Sequence, residues 1–261
     1  MTVFDTPEPI FVTIELGTGD IRLQAAQRAD TIVEVRPSDP ANDADVKVAE
    51  HVVIYYADGT LVVKAPRYRG LLARSGSIDV TIQLPAGSDI SGVARDAAFR
   101  ATGRLGDCRY KTSTGDIQLA ESGTFNLVTS VGDITVDLAE GPVEATTSSG
   151  AIRIRELLGP AVLKNSNGSI SVDKAHAAIE AKTASGDIRI AEAGRDSIIL
   201  GTSVGQLEVG VRTGTAALLD VRSMAGNVHN FLTPADGPGS SDRTVEIRAI
   251  TTVGDVAIRR A

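Results

Sequence analysis

Tryptophan is missing from this chain, and its five Phe and four Tyr amount to only 3% of its 261 residues. That scarcity argues against an aromatic-lined sugar site and against a platform on which bases stack. There is one cysteine, Cys108, which excludes an intrachain disulfide and a cysteine-based zinc site. The three histidines, His51, His176 and His229, are too scattered for a ligand cluster and read as surface residues. Basic charge is also short. Twenty-six Lys and Arg against 33 Asp and Glu leave a net charge of −7, which disfavours nucleic acid and anionic membrane as partners. No stretch approaches the roughly 18 apolar residues of a spanning helix, so direct membrane insertion is not expected. Met1–Ile14 has no basic leader, carries Asp5 and Glu8, and lacks a continuous apolar core; the expected location is cytoplasmic.

What is present is repetition. One phrase returns as TSTGDIQL from Thr112, TSVGDITV from Thr129, TSSGAIRI from Thr147, NSNGSISV from Asn165, TASGDIRI from Thr183 and TSVGQLEV from Thr202. It decays to SMAGNVHN from Ser223 and reappears as TTVGDVAI from Thr251. The glycines from Gly115 to Gly226 stand 17, 18, 18, 18, 19 and 21 residues apart. Two and four positions after each glycine from Gly115 to Gly205 the residue is apolar, as in Ile134 and Val136. Seven and five positions before it the residue is apolar or small, as in Phe125 and Leu127. Polar residues alternate between them, which is the period of a strand and not of a helix.

Each repeat therefore holds two short strands flanking a glycine turn. Three positions before the glycine a Thr, Ser or Asn shares the inward parity, and a small polar side chain there bonds backbone in the bend. A two-strand unit cannot bury its apolar face alone, whereas stacked copies can. The expected fold is all-β: a right-handed parallel β-solenoid, β-helix-like, of about 18-residue two-strand coils. A meander of hairpins with the same inner residues is the runner-up, and the even spacing favours the coil.

Residues 1–90 keep the pattern irregularly and read as a β-rich N-terminal cap continuous with the array. Phe11–Leu16, the Gly17-Thr18-Gly19 turn and Asp20–Leu23 form a first copy. Ser38–Asp45 reads as a loop, Val46–Val48, Val52–Tyr56 and Leu61–Val63 as strands, and Ala57-Asp58-Gly59 as a hairpin turn. No helix is expected. Pro66–Ala73, with Arg67 and Arg69 and with Arg74 beyond it, is a basic segment. Residues 91–261 are the repeat array, in which an insertion at 230–243, rich in Pro, Gly, Ser and Asp, loops out before Val245–Ile258 closes the array.

Several residues invite chemical readings. Gly201-Thr202-Ser203-Val204-Gly205 matches G-x-S-x-G, but that motif needs a strand–turn–helix setting and Ser203 lies in a repeat turn. Asp116, Asp133, Asp187 and Asp255 follow repeat glycines, as does Asp20, and paired carboxylates serve acid–base or calcium chemistry. Ala151, Ser169 and Gln206 break that column, so turn hydrogen bonding is the better account. Asn167-Gly168-Ser169 is formally a glycosylation sequon. No catalytic, cofactor-binding or metal-binding set emerges, and no cofactor is expected.

The T-S-x-G-D-I-x-[LIV] phrase, the irregular first third and the Leu84-Pro85-Ala86-Gly87 link resemble a bacterial family of β-strand-repeat domains of unknown function, often labelled putative adhesins. The resemblance covers roughly residues 10–258. It implies a β-solenoid and a bacterial source, and carries over no catalytic residue. The expected function is that of a non-catalytic scaffold or protein-interaction module, with a protein partner or self-association. A self-assembling polymer-forming rod and a polysaccharide-acting β-helix enzyme are the alternatives.

Overall fold

The computed structural model describes residues 1–66, 76–233 and 243–261. The basic segment around Arg67, Arg69 and Arg74 lies outside the described residues, as do 234–242 of the expected 230–243 insertion. The chain divides into two compact units, Met1–Gly132 and Asp133–Ala261.

The second unit shows the repeat at its most regular. One sheet runs, neighbour to neighbour, through Ile134–Ala139, Ile152–Leu157, Ile170–Ala175, Ile188–Ala193, Leu207–Val211, Val256–Arg260 and Val228–Asn230. The other runs through Val143–Ser149, Ala161–Asn167, Ile179–Ser185, Asp196–Val204, Arg243–Val253 and Thr215–Ala225. Every pairing in both is parallel, and equivalent residues sit side by side: Ile134, Ile152, Ile170, Ile188 and Leu207 form one column. All five are buried. The expected all-β solenoid is thus present, and strict alternation identifies the inner residues next to each glycine.

Alternation misses one inner column. Seven positions after the glycine, Ala139, Leu157, Ala175 and Ala193 are also buried. Two residues, not one, separate each from the preceding inner position, as in the pattern of Ile152, Ile154 and Leu157. Neighbouring strands stay in register through this point, so they bend together and their side-chain parity shifts, and a fixed period of two loses the thread.

The turn glycine is required for space as well as angle. Gly186 has φ +148°, and a Cβ on it would lie 2.2 Å from the carbonyl oxygen of Gly168 in the coil below. Thr202, three residues before its own glycine, donates its hydroxyl to the Gly186 carbonyl at 3.1 Å and to the Val204 carbonyl at 3.2 Å. Thr129, Thr183 and Thr251 donate likewise to Gly115, Gly168 and Gly205. The polar residue of each bend thus ties one coil to the next.

In the first unit one sheet runs through Thr2–Asp5, Asp30–Pro37, Ser77–Pro85, Thr18–Ala26, Asp96–Leu105 and Ile117–Ser122. The other runs through Val53–Ala57, Thr60–Lys64, Phe11–Glu15, Asp89–Val93, Cys108–Lys111 and Phe125–Val128. The outermost pairings are antiparallel: Thr2–Asp5 with Asp30–Pro37, the latter with Ser77–Pro85, and Val53–Ala57 with Thr60–Lys64. Asp58 and Gly59, at φ 49° and 74°, make the expected hairpin turn.

Two readings are corrected. The expectation of no helix fails at Asp43–Glu50, which is α-helical. Asn42 caps it, accepting the Ala44 N–H at 3.0 Å, and Asp43 and Asp45 occupy the first turn. Asp45 is buried and accepts the Ser77 N–H at 2.9 Å and the Asp39 N–H at 3.1 Å, anchoring the helix to the start of a strand. Val46 and Val48 mimic a strand by standing two apart, and the capping signal in Asn42-Asp43-Ala44-Asp45 outweighs them.

The second correction concerns stacking order. Val245–Ile258 does not close the array. Arg243–Val253 lies between Asp196–Val204 and Thr215–Ala225, and Val256–Arg260 lies between Leu207–Val211 and Val228–Asn230. The last coil in sequence is therefore next to last in space. The first copy behaves alike: Phe11–Glu15 and Thr18–Ala26 sit between Thr60–Lys64/Ser77–Pro85 and Asp89–Val93/Asp96–Leu105.

Candidate functional site

The carboxylates that follow the repeat glycines Gly132, Gly186 and Gly254 are each engaged in a turn. Asp133 Oδ1 accepts the Ala151 N–H at 2.8 Å, and its Oδ2 accepts from Arg153 at 2.7 Å. Those bonds, the arginine's first, hold the Asp133 carboxyl below the usual carboxylate range. Asp187 accepts the Gln206 N–H at 2.7 Å, and Asp255 the Asn227 N–H at 2.8 Å. These three carboxylates close the turn of the neighbouring coil, as the turn reading anticipates. Asp20 instead pairs with Arg22 at 2.7 Å and faces Arg100 at 3.8 Å.

The histidines stay apart. His51 contacts the Lys47 carbonyl at 2.7 Å, His176 meets Glu156 at 3.1 Å, and His229 stacks on Phe231 with ring centroids 6.1 Å apart. Asn167 is exposed at the end of its strand. Cys108 is fully buried, and burial pushes its thiol up to about 12, far from a reactive thiolate. Among the described residues no three His, Cys, Asp or Glu gather as a metal site.

Among the described residues each unit carries a concave feature. In the first, a cavity of about 240 Å³ lies under the helix, lined by Glu15, Thr18, Val48, Ala65, Ile78 and Arg95 among others. Its charges are engaged: Glu15 with Lys64 at 3.1 Å, and Arg95 with Asp96 at 2.8 Å and Thr18 at 2.9 Å. In the second, a groove of about 620 Å³ crosses the outer face of Ile179–Ser185, Asp196–Val204 and Arg243–Val253. Gly201, without a side chain, sets its floor between Lys182 and Ile250, its cross-strand neighbours. Glu180, Ile199 and Arg248 form the adjacent column. Lys182 donates to Glu180 at 2.6 Å, a bond that lowers the Glu180 pKa.

Ser203 lies in this groove, with Lys182, Glu180 and Arg248 as its polar company and none of the three histidines in the lining. The strand-to-helix elbow its motif demands is replaced by a strand-to-strand bend, from Asp196–Val204 in one sheet to Leu207–Val211 in the other. The groove itself escaped the sequence reading. The signal was a glycine at an outward strand position, which only matters once Lys182 and Ile250 are known to flank it.

The stacked two-strand coils and their glycine–threonine bends match the family model described as Toastrack DUF4097 over residues 11–259. The chain belongs to this family. Toastrack domains have no established function, which agrees with the resemblance read from the repeats. Among solved structures, one from Parabacteroides distasonis named a "putative lipid binding protein" is 13% identical, covers 100% of this chain and 95% of its own, and has a TM-score of 0.53. A "putative adhesin" from Parabacteroides merdae is 15% identical over 98% of this chain and 95% of its own, TM-score 0.48. Another from Bacteroides fragilis is 15% identical over 98% and 96%, TM-score 0.44. Identities this low bear on the fold alone. No curated protein matches. Among the described residues no helix is long and apolar enough to cross a membrane.

Proposed function

We propose that this Toastrack chain is a non-catalytic bacterial scaffold that binds a protein partner through the outer face of its second unit. The observation that carries the reading is where the reactive groups are spent. Asp133, Asp187 and Asp255 bind backbone of the neighbouring coil, and the bend threonines bind glycine carbonyls. The groove over Gly201 offers what an interface needs instead: apolar Ile199 and Ile250 beside the charges of Glu180, Lys182 and Arg248. We read the coil as right-handed with about 18 residues per turn, the hand that parallel crossovers take.

The test is capture of interacting proteins by the full chain and by an Ile199→Glu/Gly201→Arg variant, which fills and charges the groove. Partners retained by the parent and lost by the folded variant are expected. Identical capture by both, or turnover of a polysaccharide by the chain, would overturn the reading.

A further inference from the structure

The terminal coil of the second unit is unlike the coils beneath it. Thr215–Ala225 is an edge strand, bonded to Arg243–Val253 on one side and to no strand on the other among the described residues. It is eleven residues long, and edges of that length invite a further strand. Its inner residues Leu219 and Val221 are only half-buried, whereas their neighbours Ile247 and Ala249 are fully buried. Among the described residues no strand covers the core ladder here. Its outer face is apolar at both ends, with Leu218 70% and Met224 82% exposed.

The order of that outer face points to the occupant. Leu218, Asp220, Arg222 and Met224 alternate outward and read apolar, acidic, basic, apolar. Reversed, the same row is complementary to itself. In antiparallel pairing centred on Val221, Leu218 faces Met224 of the other strand, Asp220 faces Arg222, and Val221 faces Val221. Opposite charges and paired apolar side chains directly across strands both stabilise such a pair. Asp220 already lies 3.0 Å from Arg222 and 3.6 Å from Arg248 in its own chain, so the two strands would bring together one continuous charge network. A foreign peptide has no reason to match a sequence that complements its own reversal; a second copy matches it by symmetry.

We propose that Thr215–Ala225 pairs antiparallel with the same strand of a second copy about Val221, closing the chain into a two-fold dimer. The pairing satisfies the free backbone edge of Thr215–Ala225, covers Leu219 and Val221, and, because each copy offers the same strand to the other, leaves that strand no edge for a third copy. The inference goes beyond the interaction-module reading and is separable from it. A strictly monomeric chain that still captured a partner through the Gly201 groove would end the dimer and leave that reading standing.

The experiment combines mass and register. Light scattering of the full chain across concentration is expected to show a doubling of mass and no larger species. Leu218→Cys with Met224→Cys places thiols directly opposite across the axis, within disulfide reach, and mild oxidation is expected to give a covalent dimer. Leu218→Cys alone is expected to give none, since its two copies stand six residues out of register, roughly 20 Å apart. Buried Cys108 does not intervene. Asp220→Arg or Arg222→Asp alone sets like charges opposite and is expected to weaken the dimer at least about tenfold, and the double exchange to restore it. A monomer at every concentration, an open-ended polymer, cross-linking by Leu218→Cys alone, or a dimer indifferent to the charge exchanges would each overturn the proposal.

Discussion

Single residues in this chain are explained by their column more than by their sequence neighbours. Asn165 occupies a slot that Thr fills in most coils. Its Nδ2 donates to the Gly150 carbonyl at 2.7 Å, but its Oδ1 is buried without a partner. A hydroxyl makes the same bond and leaves no acceptor stranded. Asn165→Thr is therefore expected to stabilise the protein by about 1 kcal/mol, read from urea unfolding. Cys108 makes a pH argument. Its thiol is raised from 9.0 to about 12 by burial, so the folded state holds the proton more tightly than the unfolded chain. That contribution is complete below pH 9.0 and is lost as pH climbs toward about 12. Burial raises Tyr110 in the same direction. Stability should fall above pH 9, and Cys108→Ala should fall less steeply over the same window even though its smaller side chain lowers the plateau. Thiol reagents should leave the native protein unlabelled until it unfolds.

At the scale of the coil, the bend is the unit of stability. The strand before it and the strand after it are short, and each is held by neighbours rather than by its own length. Glycine and threonine have distinct tasks there, which separates two substitutions. Gly186→Ala forces a methyl to 2.2 Å from the Gly168 oxygen at a backbone angle side chains avoid, and is expected to cost more than about 3 kcal/mol. Asp187→Ala removes only a carboxylate that accepts the Gln206 N–H at the rim, and is expected to cost about 1 kcal/mol. Comparable losses for both in chemical denaturation would refute this division. Much of the coil was legible in its letters. The glycine set the bend, the apolar pairs set the inner columns, and the Ser203 motif dissolved among its siblings. The inner column at Ala139, Leu157, Ala175 and Ala193 was not legible, because each strand bends there and its side-chain parity shifts without a change of composition. The helix at Asp43–Glu50 was half legible, through its Asn42 cap, while its partner Ser77 lies 32 residues from Asp45.

For the molecule as a whole, the order of stacking separates sequence position from exposure. In both units a coil near a chain end is held between two others. Hydrogen exchange should show it. Phe11–Glu15 and Arg243–Val253, near the ends of the sequence, are expected to be protected like interior strands. Thr2–Asp5 and the free edge of Thr215–Ala225 are expected to exchange first among strands, the latter slowing with concentration if it dimerises. Fraying of Arg243–Val253 ahead of Thr215–Ala225 in dilute protein would contradict the order of the sheet.

The sequence by itself determined the inward residues on either side of each glycine, where the chain bends and which side chains hold the bend, because those are local properties of a period-two pattern interrupted by glycine. Only the tertiary structure decided which coil lies on which. The coils present nearly the same inner columns and the same backbone edges, so any coil can pair with any other, and pairing energies along the ladder do not depend on distance in sequence. The placement of Arg243–Val253 beneath Thr215–Ala225 is a choice among near-equivalent edges, and with it comes the exposed, self-complementary strand at the end of the second unit.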